Sequence, residues 1–336
     1  MERRKFIQLG SSIGLGLLFA GGTGYGVWTA VKHPNRLFHD SRVTVGTEEE
    51  RTESGTSPYR MMSSFEVDAP IRALELYRGN LVLATDSYLR FCGISGEVQQ
   101  EYPIAEGVRD IAIYEDQIYL LYPTRIQVLD VLGQKVCDWE ACSDESDYCQ
   151  LAVCQGGVYV TDAGSKNVCQ YTLTGGLVRF INSPSGFVVP SYCFGIAEHE
   201  GIIYCSNPGR HLIEKYDQEG NFLESFGKTG KKPGAFSGCC NPVYITFSEQ
   251  GELFTSEKGV SRICCYGKEG TFHSQLLDSK QMNSGHKACE MRMLGDKLII
   301  ANANRIQVYK YKKVQGESSM CGSCTLDCPL KRNISE

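Results

Sequence analysis

The chain has 336 residues, a formal net charge of −5 at pH 7 and 16 cysteines. This charge excludes the basic surface that nucleic-acid-binding proteins carry, so we expect no nucleic-acid partner. The length is sufficient for one large β domain or two smaller domains. The high cysteine content fits either disulfides or a metal cluster, and the cellular compartment decides between these two uses.

Residues 1–32 predict a membrane anchor. The run Arg3-Arg4-Lys5-Phe6-Ile7 resembles a twin-arginine export signal, in which a basic pair precedes an aromatic and an aliphatic residue. Residues 9–31 carry no charge and can cross a bilayer core of about 30 Å as a transmembrane helix. Trp28 fits a cleavage site poorly, which favours an uncleaved anchor, with a cleaved signal peptide as the alternative. The basic residues then stay inside, and the bulk of the chain is periplasmic or otherwise extracytoplasmic.

A polar stalk, residues 33–60, is expected to follow the anchor. Residues 61–313 then repeat a pattern of short apolar strands separated by Gly-, Asn- or Asp-containing turns. The second strand of each unit is predicted to begin at Leu81, Ile118, Val158, Ile202, Leu253 and Leu298. A repeat of roughly 40 residues, found six times, predicts an all-β fold, a six-bladed β-propeller. A split into two domains near residues 183–186 is the alternative.

The repeats resemble the NHL repeat. Arg125-Ile126-Gln127-Val128 and Arg305-Ile306-Gln307-Val308 are similar to its third strand, and Pro190, Pro242 and the turn at 249–252 match its other features. The resemblance covers residues 65–313 and implies an NHL-like propeller. Because propellers commonly close by adding the N-terminal strand to the last blade, we expect residues 63–67 to complete the sixth blade.

The internal alignment sorts the cysteines into two classes. Cys92, Cys169 and Cys264 lie eleven residues after the aligned starts, where other repeats have Leu, Ile or Tyr. A position filled interchangeably by cysteine and large apolar residues is a core position, so these thiols are predicted to pack as small hydrophobic groups. Cys205, in a second strand, is assigned to the same class.

A second set of residues lies nine positions before the aligned starts, at the beginning of the innermost strand. Its members are Arg72, Arg109, Cys149, Cys193, Tyr244 and Cys289. The vicinal pair Cys239-Cys240 lies just before the fifth of them. We expect five cysteines and two arginines to gather at one mouth of the central channel. Disulfides between blades or simple packing are the alternatives, and the vicinal pair fits a strained disulfide, a metal site or separate bridges.

Residues 314–336 form a cysteine-rich C-terminal tail. Cys321-x2-Cys324-x3-Cys328-Pro329 resembles the end of a bacterial ferredoxin motif, although the ferredoxin run has four cysteines. The resemblance implies an iron–sulfur cluster, with its fourth ligand from the channel mouth. The candidate ligands are Cys321, Cys324, Cys328, Cys239, Cys240, Cys193, Cys289 and Cys149. Zinc or a disulfide-stapled tail are the alternatives.

The first functional interpretation is therefore an electron-transfer accessory subunit that partners a membrane redox complex or another membrane-associated protein. The first alternative is a non-catalytic module that binds a protein or glycan on the ring face. The second is a propeller lyase or hydrolase, although the six histidines form no column and the repeats at residues 61–313 contain no Gly-x-Ser-x-Gly motif. Asp86, Asp162 and Glu257, each near a turn, are interpreted as turn-capping carboxylates.

Overall fold

The fold was analysed in a computed structural model, which describes residues 59–192 and 194–311. This part of the chain forms 24 strands in six four-stranded antiparallel sheets. The innermost strand of each sheet contacts the innermost strands of the sheets before and after it, which closes a ring. The predicted six-bladed propeller is thus confirmed.

The strands of the first three blades follow the chain in order. Blade 1 contains β2 (Ala73–Tyr77), β3 (Asn80–Ala84), β4 (Tyr88–Cys92) and β5 (Val98–Pro103). Blade 2 contains β6 (Asp110–Tyr114), β7 (Gln117–Tyr122), β8 (Arg125–Asp130) and β9 (Lys135–Glu140). Blade 3 contains β10 (Tyr148–Cys154), β11 (Gly157–Asp162), β12 (Asn167–Tyr171) and β13 (Leu177–Ile181).

The other three blades carry the remaining strands and the short helical turns. Blade 4 contains β14 (Ile196–His199), β15 (Ile202–Asn207), β16 (Leu212–Tyr216) and β17 (Phe222–Phe226). Blade 5 contains β18 (Tyr244–Phe247), β19 (Leu253–Glu257), β20 (Arg262–Tyr266) and β21 (Phe272–Asp278). Blade 6 contains β22 (Glu290–Leu294), β23 (Lys297–Asn302), β24 (Arg305–Tyr311) and β1 (Tyr59–Glu66). Two 3-10 turns (Pro190–Tyr192 and Pro208–Arg210) and α1 (Ser279–Met282) lie between strands.

The ring closes as predicted, because β1 pairs antiparallel with β24. In this pairing Phe65 lies opposite Ile306 and Tyr59 opposite Tyr311. β1 begins two residues before the predicted start of the propeller. This exchange ties the first strand to the last blade and covers the edge of β24.

The hydrophobic core is divided among the interfaces between blades. One cluster contains Leu81 and Cys92 of blade 1 with Ile299 and Ile306 of blade 6, all essentially buried. Second strands are buried along nearly their whole length because both faces of a blade are covered by neighbouring blades. Fourth strands face solvent, as the exposed residues 98–101 of β5 show.

The described part of the chain contains no helix long and apolar enough to span a membrane. The predicted anchor (residues 1–32), the stalk up to residue 58 and the tail (314–336) lie outside the described residues.

Candidate functional site

A cavity of about 390 Å³ lies along the axis of the ring. All six innermost strands line it, which places it inside the central channel. The lining includes Glu75 of β2, Asp110 of β6, Gln150 of β10, Glu198 of β14, Thr246 of β18 and Arg292 of β22. Its volume lies in the range of about 300 to 1,000 Å³ that is usual for small-molecule sites.

The charged groups that line this cavity are mostly acidic. Its five carboxylates are Glu75, Asp110, Glu198, Glu249 and Glu290. Arg292 is the one lysine or arginine among the described lining residues, and His199 is the one histidine. A concave site lined by one sign of charge focuses the field and attracts ligands of the opposite sign.

Arg292 lies at the centre of three of these carboxylates. Its Nε is 3.2 Å from Glu75 Oε2, and its Nη2 lies 3.4 Å from Glu290 Oε1 and 3.8 Å from Asp110 Oδ1. The three acids come from three different strands, β2, β6 and β22, so ring closure brings them together. One cation thus faces three carboxylates in a largely buried setting.

Backbone N–H groups of neighbouring blades hold two of the acids in place. Leu74 N–H donates to Glu290 Oε1 at 3.1 Å, and Leu151 N–H donates to Asp110 Oδ2 at 2.9 Å. Each bond joins one blade to the next. The carboxyl groups are therefore fixed by the ring itself, which is the preorganisation that a binding site needs.

Burial changes the protonation of these acids. It raises the pKa of Glu290 to about 8 and that of Asp110 to about 6, although the charge of Arg292 lowers both. Burial lowers the pKa of Arg292, but the charge of Glu75 and then those of Glu290 and Asp110 raise it overall. The carboxyl group of Glu290 therefore keeps a proton at neutral pH, which a ligand can displace or use.

Apolar and aromatic side chains form other parts of the wall. The imidazole of His199 stacks on Phe247 with ring centroids 4.6 Å apart and planes 8° apart. Ile113, Val153 and Met293 also line the cavity. An acidic centre with apolar walls suits an organic molecule that carries a positive group.

The two arginines predicted at the channel mouth form ion pairs, and neither lines the cavity. Arg72 Nε donates to Asp86 at 3.0 Å, and Arg109 pairs with Asp147. Asp86 is thus an ion-pair partner as well as a turn residue. The sequence prediction missed Asp110, Glu290 and Arg292.

Only some of the cysteines predicted at the channel mouth lie close together. Cys149 Sγ donates to the carbonyl oxygen of Tyr192 at 3.2 Å. Burial raises the pKa of Cys240, but contacts from Lys258, Cys239 and Ser191 lower it overall. Cys149 and Cys240 therefore border the same segment, Pro190–Tyr192, which ends just before Cys193, a residue outside the described ranges.

Two further features mark this segment and its neighbours. Ser191 and Tyr192 both have left-handed backbone conformations, with φ of 59° and 53°, which side chains rarely adopt in succession. Cys239 is exposed, and its Sγ lies 3.3 Å from Cys240 Sγ. Cys289 packs elsewhere, buried with Met282 in the cluster of blades 5 and 6. None of the described cysteines lines the cavity.

The cysteines assigned to the core are buried, as predicted: Cys92, Cys169, Cys205 and Cys264. Their alignment needs a correction, because Val158 pairs with Tyr171 and not with Cys169. In blade 1 Leu81 does pair with Cys92, and the spacing between Val158 and its partner Tyr171 is two residues longer than that.

Cys169 has a chemical neighbour that the repeat did not predict. Its Sγ lies 3.3 Å from Cys142 Sγ, and a carboxylate oxygen of Asp162 completes a group of three potential metal ligands within 4.8 Å of one another. A second such group contains Glu252, Cys265 and His273, with its acid and imidazole half-exposed.

The turn carboxylates have varied roles. Asp162 caps its turn by accepting from Gly164 N–H at 2.9 Å. Glu257 does not act as a surface turn cap, because it is fully buried in an ion pair with Arg262 whose Nε lies 2.7 Å from Glu257 Oε1. The interpretation of Glu257 from sequence was therefore wrong.

Comparison with known proteins supports the fold and no more. A catalytically inactive virginiamycin B lyase from Staphylococcus aureus, solved with quinupristin, superposes with a TM-score of 0.54 at 11% identity, over 75% of this chain and 99% of the other. A streptogramin B lyase gives 0.52 at 12% identity, over 75% and 97% of the two chains. A protein of unknown function from Bacteroides thetaiotaomicron gives 0.54 at 12% identity, over 76% and 74%.

No protein-family model matches the sequence, and no curated protein matches it either. The similar structures establish a β-propeller; at these identities they carry no statement about activity.

Proposed function

We propose that the protein binds a small molecule or peptide side chain with a positive charge in its central channel. The observation that carries this proposal is the charge of the cavity wall, where five carboxylates face one arginine. Three of those carboxylates already share Arg292, so the wall keeps an excess of negative charge. A cationic ligand offsets this excess in a concave site, where charges attract each other more strongly than in bulk water.

The raised pKa of Glu290 gives this binding a signature. At neutral pH the buried carboxyl group holds a proton. A positive charge placed beside it favours the ionised form, so the proton leaves as the ligand enters. Binding is therefore expected to release protons and to strengthen as the pH rises towards 8.

Calorimetric titration of the full chain with benzylamine, agmatine and spermidine tests the proposal, with benzyl alcohol as the uncharged counterpart. We expect at least one amine to bind, with a measured heat that depends on the ionisation enthalpy of the buffer. Glu75→Gln is expected to weaken binding at least tenfold, about 1.4 kcal/mol. The matched control Glu97→Gln changes an exposed carboxyl outside the cavity and leaves binding unchanged. Failure of all three amines, or equal binding of benzyl alcohol, overturns the proposal.

The thiols near Pro190–Tyr192 support a second candidate function, electron transfer through a cysteine-ligated iron–sulfur cluster. In this proposal Cys321, Cys324 and Cys328 supply three ligands and the exposed Cys239 supplies the fourth. Thiolates are the ligands that such clusters prefer. The anchor at residues 1–32 then keeps the protein beside a membrane redox partner, with the ring in an extracytoplasmic compartment.

The iron content of anaerobically purified protein tests this second candidate. We expect a brown protein whose absorbance at about 400 nm is bleached by dithionite. Cys324→Ser is expected to remove the iron, whereas the matched control Cys92→Ser, in a packed core, retains it. A colourless preparation without iron, or equal iron in both variants, contradicts the cluster.

A further inference from the structure

Blade 3 places a carboxylate and two thiols together at a position that the channel does not use. Val160 of β11 pairs with Cys169 of β12, and Asp162 lies two residues farther along β11. Because side chains two residues apart in a strand share a face, Asp162 and Cys169 lie diagonally on the same side of the sheet. Cys142 reaches this face from the loop that follows β9.

The carboxylate of Asp162 is satisfied on one oxygen only. Its Oδ1 accepts from the backbone N–H groups of Asp147, Gly164 and Ser165 at 2.8, 2.9 and 3.2 Å. Its Oδ2 is buried and has no hydrogen-bond partner in the described part of the chain. The whole residue is inaccessible to solvent. Buried polar atoms are rarely left unpaired because an unpaired one costs stability, so this oxygen points to a missing partner.

The loop that carries Cys142 is held in place by tyrosine. Cys142 N–H donates to the hydroxyl of Tyr148 at 3.1 Å, and the same hydroxyl lies 3.7 Å from Cys142 Sγ. The Tyr148 and Tyr171 hydroxyls contact each other beside it. Cys142 is only half-buried, so the group can be reached from solvent.

We propose that Cys142, Asp162 and Cys169 form a zinc site. Thiolate sulfur and carboxylate oxygen are both ordinary zinc ligands, with Zn–S bonds of about 2.3 Å and Zn–O bonds of about 2.0 to 2.2 Å. Two thiolates on one tetrahedral zinc ion lie about 3.7 Å apart. The observed sulfur separation of 3.3 Å reaches that value with a small movement of the Cys142 loop.

The ligand set leaves one coordination position for water or a substrate atom. Three protein ligands with an open fourth position are the arrangement of catalytic zinc sites, whereas structural sites use four protein ligands. This site does not depend on the channel, so either proposal can fail while the other stands.

Zinc binding by the reduced full chain, with chelator-stripped protein and a chromophoric competitor, tests the site. We expect Cys142→Ser and Asp162→Asn each to bind one zinc ion fewer per chain than the parent. Asp162→Asn keeps an oxygen that accepts the three backbone N–H groups, so it removes the metal ligand without removing the turn cap. Cys92→Ser is the matched control, because Cys92 is a buried third-strand cysteine like Cys169. This variant is expected to bind the same number of zinc ions as the parent.

Cobalt substitution gives a second, spectroscopic measurement. A cobalt–thiolate charge-transfer band is expected in the parent and weakened in Cys142→Ser, with no change in Cys92→Ser. The tail cysteines and the group around His273 contribute equally to all these proteins, so the differences isolate the blade 3 site. Equal zinc content in the parent and Asp162→Asn overturns the proposal. So does peptide mapping that finds a Cys142–Cys169 disulfide in the isolated, zinc-free protein.

Discussion

The central channel and the blade 3 thiol site both bury carboxylates, but they balance the charge differently. In the channel, Arg292 lies within 3.8 Å of three acids and offsets part of their charge. At the thiol site, Asp162 Oδ2 has no hydrogen-bond partner among the described residues. The channel is thus a charged site that the protein partly neutralises by itself, and the thiol site has the composition of a site completed by a metal ion.

The two regions also differ in how the chain builds them. Four of the five channel acids lie on innermost strands that the ring positions blade by blade, and Glu249 lies in the turn after β18. The thiol site combines two strand residues with Cys142, which lies in a loop between blades 2 and 3. A change in the channel is therefore expected to affect the stability of the whole ring, whereas a change at the thiol site is expected to act locally.

The largest effect is expected from Arg292→Met. This change leaves Glu75, Asp110 and Glu290 buried without their cation, and breaking a buried ion pair costs about 3–5 kcal/mol. Urea denaturation at pH 7 measures the free energy of unfolding. Arg78→Met, at an exposed ion pair with Asp116, is the control and should leave stability nearly unchanged. A small loss in Arg292→Met would mean that the channel acids do not depend on this cation.

A smaller effect is expected from Glu290→Gln, and it depends on pH. Burial raises the folded-state pKa from the ordinary 4.5 to about 8, so the folded state binds more protons than the unfolded state between these values. The contribution of Glu290 to the free energy of unfolding is then fully present below pH 4.5 and is lost as the pH rises towards 8. We expect Glu290→Gln to nearly match the parent near pH 5 and to exceed it at pH 8 by on the order of 3 kcal/mol. Parallel curves for the two proteins from pH 5 to 8 would contradict the raised pKa.

Much of the ring was predictable because its repeat is encoded locally. The strand pattern predicted six blades, and the extra strand before the first repeat predicted the closure with β24. The alignment also contained a signal for the channel, since Asp110, Gln150 and Glu290 each lie eight residues before an aligned start. The prediction selected the neighbouring position and so named Arg72 and Arg109 instead. Of the described residues at that position, Tyr244 lines the cavity, whereas Arg72, Arg109, Cys149 and Cys289 do not.

The thiol site was not predictable from the repeat. Cys142 lies outside the repeated pattern, and 27 positions separate it from Cys169. The alignment placed Cys169 with Cys92, but the partner of the aligned start lies two residues farther along the chain in blade 3, which gives the two cysteines different neighbours. The burial of Cys169 by itself is what a packed core thiol would show. Only the three-dimensional positions of Cys142 and Asp162 indicate that Cys169 can be a metal ligand.

A third change, Asp162→Asn, compares the two regions directly. In metal-free, reduced protein the amide removes a buried charge whose Oδ2 has no hydrogen-bond partner among the described residues, and it keeps the turn cap on Oδ1. We therefore expect stability to stay equal or to rise by up to about 1 kcal/mol. Asp110→Asn is a less favourable change, because it weakens an ion pair with Arg292. Denaturation of both variants without zinc measures this contrast. A large destabilisation of Asp162→Asn would indicate that Oδ2 already has a partner.

The smallest effect is expected from Arg72→Ala at the ring face. Arg72 and Asp86 form a partly exposed ion pair, and such pairs contribute less than about 1 kcal/mol. Because Arg72 does not line the cavity, amine binding in the channel should also stay unchanged. Calorimetric titration of Arg72→Ala beside Glu75→Gln measures both effects. If Arg72→Ala weakened amine binding as much as Glu75→Gln does, the binding site would have to extend to the channel mouth, and the acidic cavity and the cysteines near Pro190–Tyr192 would act as one site.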